Sequence, residues 1–200
     1  MHLTFPAIVV ASRVHGETAA IARVMSEEFG LVAGYVAGAR GRALRPVLIP
    51  GNRVAAELSS RSDSQLPFLR LELVASRGPW LGEPLAAGAI AWVTTLTASV
   101  LPERNPYPRL YNALEGTLEA ICHAPSARGW LRAVVGYEAL VLRELGYGGG
   151  APPAEADLGA LLELFARQAA PLERHLLADR RGDAMAARAM LGARLEKLKA

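Results

Sequence analysis

A change of texture near residue 80 constrains this chain more than any other feature. Before it, turn residues recur at short intervals: Gly30, Gly38, Gly41, Pro46, Pro50-Gly51-Asn52, Pro67 and Gly78-Pro79. They leave only short segments, at 5–12, 31–36, 53–58 and 68–74. Segments of that length bounded by glycine and proline suit strands better than packed helices. The last alternates clearly, with Phe68, Leu71 and Leu73 set around Arg70 and Glu72. Strands at this spacing predict a small barrel or sandwich over residues 1–80.

After Gly82 the period becomes helical. Pro84 suits the first turn of a helix over 83–101. Pro106 and Pro108 open a second, with Leu110, Leu114, Thr117, Leu118 and Ile121 at helical spacing. A third over 127–145 carries Leu131, Val134, Val135, Leu142 and Leu145 on one face and stops at Gly146. Gly148-Gly149-Gly150 and Pro152-Pro153 then form a hinge, and two or three more helices follow within 155–178 and 183–199. The fold class is α+β: a β domain over 1–80 and an all-helical domain over 81–200. One segment resists this scheme. Residues 18–28 are alanine-rich behind a good N-cap, Thr18, so propensity slightly favours a helix. The alternative is a strand whose hairpin partner begins at Leu31, with Glu27-Glu28-Phe29-Gly30 as the turn.

With 52% hydrophobic and 20% charged residues the chain can bury a core. No apolar run reaches the roughly 20 residues of a membrane span, and the first residues do not read as a signal peptide. Cys122 is the sole cysteine, which excludes an internal disulfide and any cysteine-cluster metal site. The expected compartment is the cytoplasm, and no cofactor is expected.

Catalytic motifs are missing from the sequence. His2, His15, His123 and His175 lack paired spacing, Ser12-Arg13-Val14-His15 is no nucleophile elbow, and Cys122-His123 has no orienting acid. Gly38-Ala39-Arg40-Gly41-Arg42 lacks the lysine and hydroxyl of a phosphate-binding Walker loop. The glycines at 146–150 follow a helix, where a C-cap is the simpler use.

The net charge of +3 is unevenly placed. Residues 1–80 carry nine arginines against six acids, whereas 81–200 balance at thirteen each. Between Glu28 and Glu57 there are 28 residues without a carboxylate, and they hold Arg40, Arg42, Arg45 and Arg53. Phosphate binding needs cations without competing anions, and glycines let backbone amides approach as well. The glycines and prolines place these arginines on an exposed loop, as in OB-type barrels that bind single strands with a basic groove and aromatic platforms. Arg13 and Arg70 would join them if their strands face the same groove. Tyr35 or Phe68 could stack a base, although the core is the commoner place for such residues. The plain alternative is a solvated loop whose arginines serve solubility.

The order of these residues resembles bacterial RecO. Gly16-Glu17-Thr18, then Ser26-Glu27-Glu28-Phe29-Gly30, then Ala37-Gly38-Ala39-Arg40 follow the family's E-T, T-E-E-x-G and K-G-A-R elements in order and spacing. Pro50-Gly51-Asn52 resembles its strand-opening turn and Leu71-Glu72-Leu73 an internal strand. Tyr137-Glu138, Leu142, Leu145 and Gly146-Tyr147-Gly148 resemble the family's F-E-x-x-L-L-x-x-L-G-Y-G helix end. The resemblance covers most of residues 5–150 and, more loosely, 164–198.

It implies an OB-fold N-terminal domain, with residues 18–26 as a strand, and a helical C-terminal domain. It also implies a recombination mediator without enzymatic turnover. Such a protein binds single- and double-stranded DNA, anneals complementary strands and assists RecA on DNA coated by the single-strand-binding protein. The implied partners are RecR, the acidic tail of the single-strand-binding protein and, indirectly, RecA; whether RecF joins them is left open. That role would associate the chain with the nucleoid.

Arg128 and Arg132 are candidates for meeting the acidic tail. Three departures stand out: Ala37 replaces the family's lysine, Val135-Gly136 replaces a basic pair, and one cysteine excludes the four-cysteine zinc module of some members. Glu138 falls among apolar helix positions and reads as a buried acid paired with an arginine or capping a helix terminus. Two rivals are an RNA-binding OB protein of translation or RNA processing, and a hydrolase domain with a closed polar cleft.

Overall fold

The computed structural model describes residues 2–60, 65–178 and 184–199; residue 183, where the last helix is predicted to begin, lies outside them. The chain divides into two compact units, one of residues 1–82 with 101–111 and the other of 83–100 with 112–200.

In the first unit, five strands close into a barrel: β1 (His2–His15), β2 (Ala19–Ser26), β3 (Gly30–Val36), β4 (Arg53–Ser59) and β5 (Phe68–Ala75). Their order is β1-β2-β3-β5-β4, with β4 returning to β1. All pairings are antiparallel except β3 with β5, which are parallel and in register only at Tyr35 and Phe68. This is the OB-type arrangement. The alanine-rich segment is strand β2, not a helix. Ala20, Ala22 and Val24 point into the core while Ile21 and Arg23 do not, so the period is two. Alanine contrasts so weakly with its neighbours that the alternation is hard to see in sequence.

Inward residues from every strand form one core, among them Phe5, Val9, Val32, Val36, Val54, Leu58, Leu69 and Leu71. A bulge in β1 between Val9 and Ala11 shifts the register by one residue. Beyond it Ser12 and Val14 pair with the inward-facing Ala22 and Ala20, so they continue the inner face of β1. They lie past the end of the core: both are exposed, Val14 by 67%.

Residues 101–105 are stitched onto this barrel. Arg104 N–H donates to the Leu31 carbonyl at 2.8 Å, and Arg23 pairs with Glu103 at 3.0 Å. Gly30 makes this approach possible: its φ is +68°, and a Cβ there would lie 2.0 Å from the Asn105 carbonyl oxygen. Gly16 has a similar φ of +62° but open space around it. Gly30→Ala is therefore expected to destabilise the chain by about 2–4 kcal/mol, strain and overpacking together. Gly16→Ala should cost only about 1 kcal/mol, for the left-handed backbone alone. Urea unfolding of the two variants checks this, and equal losses would show that the close approach is not what selects glycine.

The second unit contains α1 (Pro84–Val100), α2 (Pro108–His123, from Asn112 onward), α3 (Ala127–Glu144), α4 (Leu158–Leu172) and α5 (Ala184–Glu196). Helix α1 starts at the predicted proline, and α3 ends as predicted before Gly146, whose φ is +89°. Asp157 caps α4, its Oδ1 accepting from the Ala160 N–H at 2.8 Å. Pro171 lies near the end of α4, and the chain runs on into a π-helical turn over Glu173–Leu177.

Four of these helices meet at one buried polar cluster. Glu138 of α3 accepts from Trp92 Nε1 of α1 at 2.6 Å and from Arg188 Nε and Nη2 of α5 at 2.9 and 2.8 Å. The same guanidinium donates to the Phe165 carbonyl of α4 and lies over the Phe165 ring, 3.9 Å from its centroid. Burial raises the Glu138 carboxyl above the usual carboxylate range, and the Arg188 guanidinium and Trp92 N–H oppose that shift. These partners are all donors, which suits an ionised carboxylate. A second buried pair, Thr97 and Tyr137 at 2.5 Å, links α1 to α3.

Candidate nucleic-acid interface

Residues 37–52, between β3 and β4, form the most basic surface element of the barrel. They are not a loose loop. Arg45 N–H bonds the Gly41 carbonyl and Leu48 N–H the Leu44 carbonyl, so residues 41–48 wind as a short helical turn. Ala39, Val47 and Leu48 are buried in the barrel core and Leu44 packs against it. Asn52, fully buried, donates to the Pro46 and Val47 carbonyls at 2.7 and 3.1 Å, and its Oδ1 accepts from Arg77 N–H at 2.7 Å. The Pro50-Gly51-Asn52 turn therefore locks this element to the end of β5. With its apolar side held inward, Arg40, Arg42 and Arg45 are left on the exposed side.

Arg40 is also oriented. Its Nη1 donates to the Glu17 carbonyl at 3.0 Å, and its backbone N–H to the Thr18 carbonyl at 3.2 Å, tying the β1–β2 hairpin tip to the basic turn. Arg40 and Arg45 line an open hollow of about 450 Å³ with Ser12, Val14, Ala19, Ala20, Ala39 and Leu48. The β1 bulge builds one wall of it by turning Ser12 and Val14 to that side. Two cations over an apolar floor, one of them oriented by the hairpin tip, on an element free of carboxylates from 29 to 56, can hold a phosphate while admitting an apolar group beside it.

The six predicted arginines do not share one groove. Arg40, Arg42 and Arg45 stand together on the capping turn. Arg13 lies on the outer wall, on the rung that runs through Ile21 to Tyr35. Arg70 is also on the outer wall, in a hollow with Tyr35 and Phe68, 3.8 Å from Glu57. Arg53 is half-buried at the start of β4, opposite Ile8. Alternation in β5 put Arg70 on the face opposite Leu69 and Leu71, but the bulge that decides the sides of Arg13 and Ser12 has no mark in the sequence.

In the helical unit, Arg128 is exposed in the first turn of α3. Arg132 donates to the carbonyls of Pro153 and Ala156, the latter at 2.8 Å, and so holds the segment before α4. Cys122 is buried, and among the described residues no three histidine, cysteine or acidic side chains are grouped to hold a metal ion. No helix among the described residues is long and apolar enough to cross a membrane.

Fold and site together define an OB-type barrel protein with a cation-bearing cap, continued by a helical unit. Residues 1–77 match the family model described as Recombination protein O N terminal, and residues 82–149 that of Recombination protein O C terminal. The chain is 39% identical over 149 residues to the DNA repair protein RecO of Rhodospirillum centenum, covering 74% of this chain and 58% of that protein. Against the protein of the same name from Rhizobium etli it is 40% identical over 144 residues, 71% of this chain and 54% of the relative. For Paracoccus denitrificans the figures are 37% over 142 residues, 71% and 57%. This chain belongs to the RecO family. It spans a little over half the length of these curated relatives.

Proposed function

We propose that this chain acts in DNA repair as a DNA-binding recombination mediator, holding single- and double-stranded DNA without turning it over. It would anneal complementary strands and assist RecA on DNA coated by the single-strand-binding protein, with RecR as a partner. The observation that carries this reading is the capping turn: Arg40, Arg42 and Arg45 held outward by a buried apolar side, with no carboxylate from 29 to 56. Arg13 and Arg70 would add contacts along the outer wall. In the helical unit Arg128 is exposed and could meet an acidic tail, whereas Arg132 would have to exchange its carbonyl partners first.

Strand annealing tests this directly. Complementary strands coated with the cognate single-strand-binding protein should pair faster with the chain than without it, and an RNA competitor of the same sequence should displace DNA no better than a DNA competitor does. Discrimination against DNA requires contacts to the 2′-hydroxyl, so a marked preference for RNA would replace this reading with one in RNA metabolism. Absence of any annealing or binding would remove it.

A further inference from the structure

The outer wall of the barrel carries a second feature that the basic turn does not explain. His15, Tyr35 and Phe68 form a row across β1, β3 and β5. Ring centroids are 5.9 Å apart from His15 to Tyr35 and 5.4 Å from Tyr35 to Phe68, each pair edge to face. Phe68 is 58% exposed although aromatic residues at the surface of a small barrel ordinarily turn inward. It is not loose: its strand is paired at this residue to both Tyr35 and Ser59.

Two hollows open beside it, and Ser59 lines both. One, of about 420 Å³, is lined by Tyr35, Phe68, Leu44, Glu57, Ser59 and Arg70 among others. The other, of about 310 Å³, is lined by Ser59, Ser60, Gln65, Leu66 and Phe68. Each combines an aromatic wall with polar groups at the rim, which is what a flat heteroaromatic ring with hydrogen-bonding edges requires. The surroundings are cationic: Arg70 lies in the first hollow, and Arg13 is about 10 Å from Tyr35, two strand spacings along one rung. Glu57, the one carboxylate among the described residues lining these hollows, is 3.8 Å from Arg70 and 3.6 Å from His2.

We propose that Phe68, backed by Tyr35 and His15, is a stacking wedge against which an unpaired base of single-stranded DNA rests. This rests on the DNA-binding reading and divides the work within it. The capping turn would hold phosphates of any strand, and the outer wall would select strands whose bases are free to leave the stack. Aromatic stacking is tolerant of sequence, so the wall would not read one.

The test uses the full chain and three labelled probes: a short oligothymidylate, an abasic chain of the same length, and a duplex. Wild type should bind oligothymidylate more tightly than the abasic chain. Phe68→Ala should weaken oligothymidylate binding by about fivefold or more, the lower bound for loss of one stacked base, and leave the abasic chain and the duplex unchanged. Phe68→Trp should restore the preference. Because Phe68 is exposed, the alanine variant should keep the wild-type far-ultraviolet dichroism, and a variant that does not is replaced by Phe68→Leu, for which the same selective loss is expected.

Equal wild-type affinity for the thymidylate and abasic probes overturns the wedge while leaving DNA binding intact. So does an equal effect of Phe68→Ala on all three probes. No binding to any of them by wild type overturns the wedge and the DNA-binding reading together.

Discussion

Alanine at Arg188 lowers the stability of the helical unit by about 3–5 kcal/mol, the cost of leaving a buried carboxylate without its cation. Arg188 is 4% exposed and Glu138 fully buried, so bulk solvent does not screen the carboxylate once its cation is gone. The loss also removes the contact to the Phe165 carbonyl and the packing of the guanidinium over that ring, which otherwise join α5 to α4. Glu138→Ala should cost a comparable amount, since it strands the cation instead.

The two losses should not add. Exchanging both partners for apolar residues of similar volume, Glu138→Leu with Arg188→Met, should recover part of the stability: no charge is then left unpaired, but the buried Trp92 N–H and Phe165 carbonyl lose these partners. Trp92 reports the cluster from within, since its indole N–H donates to the same carboxylate. Guanidinium unfolding followed by tryptophan fluorescence, to which Trp80 and Trp130 also contribute, and by far-ultraviolet dichroism measures all three variants. An Arg188→Ala variant within about 1 kcal/mol of wild type would mean that this pair adds no more than an exposed one.

Removing the three arginines of the capping turn has the largest expected effect on binding. Each single-strand phosphate contact contributes about 0.7 to the log-salt slope, so Arg40→Ala, Arg42→Ala and Arg45→Ala together should flatten it by about 2. At 0.1 M salt that corresponds to about a hundredfold weaker binding. Arg40 has a structural contact too, to the Glu17 carbonyl, so its removal also frees the hairpin tip. The Arg42→Ala, Arg45→Ala double variant keeps that contact and should still lose about 1.4 of slope. Anisotropy titrations across a salt series supply both slopes. If neither variant differs from wild type in slope, the turn is not the contact surface.

Much of this architecture was legible in the sequence for simple reasons. Glycine and proline marked the ends of β3, β4 and β5, and Pro84 and Gly146 marked a start and a stop of helices, because these residues restrict the backbone wherever they stand. Glu138 could be read as a buried acid needing either an arginine or a helix terminus, since an unpaired carboxylate amid Leu131, Val134 and Leu142 would be costly, and the structure supplies the arginine. Its partner could not be found: Arg188 lies 50 residues away, and nothing local to either residue selects the other. For β2, propensity slightly favours a helix because alanine does so in isolation, whereas the strand that the family resemblance implies is the one formed: a barrel wall accepts alanine where facing side chains leave little room.

Glycine, proline and the apolar periods alone give this chain a β half and a helical half, and the charges alone give an arginine-bearing, acid-free stretch between β3 and β4. Those are consequences of local backbone restriction and of charge, which need no neighbours. How the arginines are grouped depends on contacts between distant segments. Three ride on a turn whose apolar side is buried in the barrel, two lie on the outer wall beside Tyr35 and Phe68, and Arg53 stands apart. The physical reason is that the side a residue occupies in a barrel depends on strand register. One bulge in β1 and one parallel pairing at Tyr35 and Phe68 set that register here through hydrogen bonds between distant segments.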